Sequence, residues 1–130
     1  MIVWAAVLAA ACGGTNNAPK LNELQRLKSN ALDVVLLSSH EGLRHGKDTF
    51  VVEFRSRSDG TLVDVGTVGA SATMPMPGMS MFGTIDVKRT VVAGRYDANG
   101  EFEMAGTWRL TVQWDSPAGQ GSVGFSGTVQ

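Results

Sequence analysis

Residues 74–81 read Met-Pro-Met-Pro-Gly-Met-Ser-Met, so Met74, Met76, Met79 and Met81, four of the chain's six methionines, share one eight-residue segment. A thioether is a soft, uncharged ligand, and soft sulfur selects Cu(I) over hard cations. Methionine ordinarily fills gaps in a core. Here Pro75 and Pro77 lack amide donors and Gly78 is conformationally loose, so the segment is expected to be a loop rather than a core strand or helix. A turn at Pro77-Gly78 brings Met76, Met79 and Met81 around one ion, with Met74 helping or substituting. Neutral thioethers suit Cu(I) or Ag(I) that is handed onward. A competing reading keeps the same side chains as an apolar patch that docks a membrane-protein partner without metal.

Three further side chains enter as candidate ligands. His40 and His45 lie in Ser39-His40-Glu41-Gly42-Leu43-Arg44-His45-Gly46, between the first two expected strands, at a spacing that defines no helix face. Imidazole beside thioethers also holds Cu(II), which would make the site redox-sensitive. Met104 precedes a strongly alternating strand and is expected to point into the core, with completion of the metal site as the other reading. Zinc needs about four N, S or O ligands in a tetrahedral array, and too few candidates remain for it.

No catalytic signature accompanies these residues. The chain has no Gly-x-Ser-x-Gly elbow, no His-Glu-x-x-His and no phosphate-binding loop. Glu101 and Glu103 sit two apart beside an expected turn with no nucleophile near them, so they are assigned to solvent. A non-enzymatic protein is expected.

The elements that must position the methionines are those of one domain after a short leader. Residues 1–11 carry no charge and end in small residues before Cys12-Gly13-Gly14, the pattern of a secretory signal cleavage site. The run is too short to span a bilayer, which takes about 20 apolar residues. Leu8-Ala9-Ala10-Ala11-Cys12 resembles a bacterial lipobox, which makes residues 1–11 a lipoprotein-type signal peptide with a start set too far downstream. Cys12 is then the lipid anchor, 12–31 a linker, and the location extracytoplasmic on a bacterial envelope membrane, periplasm-facing if that envelope is Gram-negative. The leucines at 21, 24 and 27 predict a short helix within that linker. A single cysteine permits no intramolecular disulfide. Eleven basic and twelve acidic side chains nearly cancel, so charge draws the protein to neither nucleic acid nor an anionic surface.

From Asp33 the period changes to two. Asp33–Ser38, Thr49–Phe54, the region Thr61–Thr73 broken at Gly66 and Gly69, Phe82–Val92, Thr107–Trp114 and the segment from Val123 to Val129 read as strands. In the best of them Trp108, Leu110, Val112 and Trp114 share one face. Ser58-Asp59-Gly60 and Asp97-Ala98-Asn99-Gly100 are read as hairpin turns, and Asp115–Gly119 as a longer one. Six or seven short strands at this spacing predict an immunoglobulin-like antiparallel β-sandwich over residues 32–130. A buried Tyr96 is expected to bond a backbone carbonyl.

Read together, Met74-Pro75-Met76-Pro77-Gly78-Met79, Ala93-Gly94-Arg95-Tyr96 and Phe102-Glu103-Met104-Ala105-Gly106-Thr107-Trp108-Arg109-Leu110 resemble the YtkA-like domain, which is related to FixH-type proteins. The resemblance runs from about Leu32 to Gln130. It implies a small extracytoplasmic β-sandwich, often a lipoprotein or joined to copper-efflux or oxidase-assembly components, and a copper-transporting or assembly protein as partner. Relatives often carry histidines within or beside the methionine loop, and residues 74–81 here contain none. The resemblance supplies no catalytic residue.

Overall fold

The computed structural model describes residues 21–117 and 119–130; the expected signal segment and Cys12 lie outside them. The described residues form eight strands: β1 (Asn22–Ser29), β2 (Leu32–Ser38), β3 (Gly46–Ser56), β4 (Thr67–Met76), β5 (Met79–Arg89), β6 (Arg95–Phe102), β7 (Gly106–Ser116) and β8 (Gly119–Val129). All pair antiparallel in the order β1-β2-β3-β6-β5-β4-β7-β8. The all-β antiparallel class is the one the periodicity predicts, with eight strands in place of six or seven. The strands form one continuous sheet that curls over itself. Phe54 of β3 meets Trp114 of β7 edge-on at 5.2 Å, although three strands separate them in the sheet.

Alternation builds that interior. On β7 Trp108, Leu110, Val112 and Trp114 are buried while Thr107, Arg109 and Gln113 face out. Phe50, Val52 and Phe54 of β3, Val34 and Leu36 of β2, and Phe125 and Val129 of β8 join them in a single apolar cluster. Fully burying side chains of this size stabilises by about 1.5–3 kcal/mol each before the cost of ordering the chain. Tyr96 packs its ring against Phe54 and donates its hydroxyl to the Gly66 carbonyl at 2.9 Å, as expected of a buried tyrosine.

Two elements differ from the sequence reading. The leucine-rich stretch is strand β1 rather than a helix, and it extends the sheet back to Asn22 within the expected linker. The three-residue leucine spacing is met by an irregularity in the ladder: Glu23 pairs with Leu37 and Gln25 with Leu36, leaving Leu24 as the extra residue. The bulge resets the alternation, so Leu24 and Leu27 both pack on the core. The second difference is β6. Asp97-Ala98-Asn99-Gly100 is the middle of a central strand, not a turn, with Tyr96, Ala98, Gly100 and Phe102 inward and the residues between them outward. Gly100 is there for space: a β-carbon on it would lie 2.9 Å from the Phe102 ring and 3.2 Å from that of Phe50.

Candidate metal centre

The methionine segment is the tip of the β4–β5 hairpin. Met76 pairs with Met79, Pro75 with Ser80 and Met74 with Met81, leaving Pro77 and Gly78 as a two-residue turn. Gly78 takes φ +76° after a proline whose ring holds φ near −65°, the φ pattern of a type II turn. The loop expectation is therefore corrected, and the prolines fit for a geometric reason. A two-residue turn makes Met76 and Met79 a hydrogen-bonded pair, so Pro75 opposite Ser80 falls in a non-hydrogen-bonded pair. Its missing N–H would point toward β7, whose ladder with β4 ends at Thr73↔Arg109.

This register does what spacing alone did not reveal. Residues directly opposite on antiparallel strands share a face, and so do residues two apart. All four thioethers therefore project from the same face of the hairpin, the one carrying Ala72 and Ile85 into the core. They form two rungs. Met74 and Met81 are half-buried and pack on the core cluster, while Met76 and Met79 stand at the tip with 37% and 69% exposure. Directly opposed β-carbons lie about 4.5–5.5 Å apart, close enough for two flexible thioethers to meet at one ion.

The floor beneath the rungs is rigid. Trp108 is fully buried, sits edge-on to Phe102 at 5.4 Å, and passes 3.3 Å from the β-carbon position of Gly83. Its indole N–H donates to the Met104 carbonyl at 3.0 Å, tying down the β6–β7 connection. Met104 is not a core side chain. It is 39% exposed, because the strand begins only at Gly106 and its backbone is turned toward Trp108. Gly106 in turn is covered by the Met74 side chain, and a β-carbon there would collide with the Met74 methyl. The Met-x-Gly-x-Trp motif is thus one small device: the tryptophan holds the Met104 carbonyl, and the glycine makes room for Met74.

Antiparallel pairing brings the other candidates to the same end of the sheet. The β2–β3, β4–β5 and β6–β7 connections all lie there, with the ends of β8 and the start of β1. His40 and His45 lie in the first of these. Leu43 between them is buried and bridges Val129, which pairs with Gly106. The Nδ1 of His45 lies 2.9 Å from the Gln130 carbonyl. A carbonyl only accepts, so Nδ1 is the donor, and in the neutral ring it is Nε2 that offers the lone pair a metal-binding imidazole uses. His40 engages through its backbone, its amide donating to Ser38 Oγ at 3.1 Å. Among the described residues no three His, Cys, Asp or Glu side chains converge as a metal site.

Asp64 and Tyr96, whose titration is displaced, lie at the opposite end. The Gly66 amide holds the Asp64 carboxyl below its usual range; desolvation pulls it up, and the Arg89 guanidinium pulls it down again. Burial pushes the Tyr96 hydroxyl up. The Glu101 and Glu103 side chains are exposed, as expected.

Comparison with known proteins agrees with this architecture. A family model described as YtkA-like matches residues 26–113. Comparison with curated protein sequences finds no match. Among solved structures, FetP of uropathogenic Escherichia coli strain F11, as isolated after expression in the periplasm, superposes with a TM-score of 0.53 at 12% identity, over 84% of this chain and 95% of that one. A copper-bound point variant of FetP gives a TM-score of 0.50 at 10% identity, over 85% and 97%. At such identity the likeness is one of fold.

Proposed function

The chain belongs to the YtkA-like family, and from that premise we propose that it binds and relays Cu(I) through the methionine hairpin, without catalysing a reaction. The observation that carries this reading is the register of β4 and β5, which sets Met74, Met76, Met79 and Met81 on one face at the open end of the sheet. Copper is cargo in this mechanism. Exposed Met76 and Met79 meet the incoming ion, and half-buried Met74 and Met81 sit behind them against a fixed floor. A partner's sulfur or imidazole enters as a tip methionine leaves, so transfer proceeds by ligand exchange at neutral soft donors. Met104 and the Nε2 of His45 lie at the same end as further donors, with His40 beside them. A relative of the same fold, the FetP variant, is copper-bound, which supports the reading. Extracytoplasmic placement through a lipidated Cys12, facing a copper-transporting or oxidase-assembly protein, completes it.

The second reading, an apolar docking tip for a membrane-protein partner, is favoured by one observation: Met79 and Phe82 are 69% and 71% exposed on opposite faces of the hairpin. Anaerobic Cu(I) titration against a competing chelator, with Met76→Leu/Met79→Leu alongside, separates the two. Leucine keeps apolar volume and removes sulfur. One-to-one binding weakened at least about tenfold in the double variant, a loss of ~1.4 kcal/mol, is expected. Absent binding, or equal binding by both proteins, sinks the copper reading and leaves docking.

A further inference from the structure

The two rungs of the methionine hairpin differ in more than reach. Met76 and Met79, the outer rung, stand open to solvent at the tip. Met74 and Met81, the inner rung, pack on the core cluster, and the Met74 sulfur lies 3.4 Å from the β-carbon position of Gly106. A thioether sulfur is also a nucleophile, and its reaction with an oxidant needs open approach to the sulfur lone pair. The outer sulfurs offer that approach, while packing covers the inner ones. The cost of the product runs the same way. A sulfoxide oxygen on Met76 or Met79 stays in water. One on Met74 or Met81 would press a polar atom against apolar side chains, which burial penalises. Access and product stability thus select the same two residues.

We propose that the outer rung is a reversible oxidation site: peroxide converts Met76 and Met79 to sulfoxides and weakens the hairpin's hold on Cu(I), while Met74 and Met81 stay reduced. This inference rests on the Cu(I) reading of the hairpin. In each step a sulfur lone pair attacks one peroxide oxygen, and the S–O bond forms as the O–O bond breaks. The departing hydroxide takes the proton from the transferred oxygen and leaves as water, so sulfur loses two electrons and peroxide gains them. The product has spent a sulfur lone pair and presents an oxygen, a harder donor that Cu(I) disfavours. The fold is untouched, because backbone pairing of Met76 with Met79 and of Met74 with Met81 holds the hairpin. A methionine sulfoxide reductase using a dithiol reverses the step, giving back the thioether, water and a disulfide.

The test treats the metal-free chain with dilute hydrogen peroxide, removes the peroxide, and follows each methionine by peptide mass spectrometry. Met76 and Met79 are expected to oxidise at least about fivefold faster than Met74 and Met81. Anaerobic Cu(I) titration of the oxidised chain is expected to show binding weakened about tenfold or more, restored by a sulfoxide reductase. Circular dichroism and the thermal midpoint stay unchanged. Met76→Leu/Met79→Leu, treated in the same way, controls for oxidation at Met104 and Cys12, and its residual binding is expected not to move. Equal oxidation rates on the two rungs, an oxidised chain that binds as tightly as the reduced one, or an equal loss in the leucine variant overturns the proposal and leaves the copper reading standing. A reduced chain that binds no Cu(I) overturns both.

Discussion

Replacing Gly83 by alanine tests the floor of the methionine site directly. Gly83 lies on the inward face of β5 opposite Ala72. A β-carbon there would stand 2.9 Å from the Glu101 carbonyl oxygen and 3.3 Å from both Ala72 Cβ and Trp108 Cζ3. Two opposing effects set the outcome. Alanine restricts the unfolded chain more than glycine and suits a strand better, which favours the variant by about 0.5–1 kcal/mol. Overpacking a filled interior costs about 1–3 kcal/mol. The closest obstacle is backbone of the neighbouring strand, which cannot rotate aside as the end of a side chain can. Overpacking therefore wins, and the net loss is about 1–2 kcal/mol, a fall in Tm of roughly 4–10 °C for a domain of this size. Gly124→Ala is the control, since its added carbon meets nothing within 4 Å and is expected to leave stability unchanged or raise it by up to ~1 kcal/mol. Thermal unfolding followed by tryptophan emission reads both variants. Equal or higher stability for Gly83→Ala refutes the argument that close approach to Trp108 and β6 requires glycine.

Tyr96→Phe removes the hydroxyl bonded to Gly66 and is expected to cost about 1 kcal/mol in a urea titration. It also removes the alkaline sensitivity that the raised Tyr96 pKa creates, since that stability is present below the ordinary tyrosine range and lost as pH rises through the folded value. Asp64 has the opposite sign. Its lowered pKa gives stability that is present above the ordinary carboxylate range and lost as pH falls through the folded value, so Asp64→Asn should flatten the acid limb of Tm against pH. An unchanged acid limb in that variant would dismiss the Gly66 and Arg89 interactions as contributors.

Amino-acid order alone determined the all-β class, the inward face of β7 and the soft-donor character of residues 74–81. Each rests on local information: side chains alternate with period two, and thioether chemistry needs no neighbour to define it. The resemblance carried by Met-x-Gly-x-Trp and Gly-x-Tyr located the right family. Local signals failed where long-range packing overrode them. Asn99-Gly100 has turn chemistry, yet β3 and β5 on either side hold it as strand, and the glycine serves the Phe50 and Phe102 rings. The leucines of β1 have helical spacing, and pairing with β2 through a bulge satisfies them instead.

The candidate site shows the same division. Composition put four methionines in one segment, and the prolines argued for a loop. Only the β4–β5 register decided that all four lie on one face, because a shift of one residue in pairing would reverse that face along the whole strand. Only the topology brought His40, His45 and Met104 to the same end, although Met104 lies 64 positions beyond His40 along the chain. The Gln130 carbonyl that sets the His45 tautomer lies at the last residue of the sequence. No pattern of neighbours in a chain can state such a contact, since it exists only after β8 returns beside the β2–β3 connection.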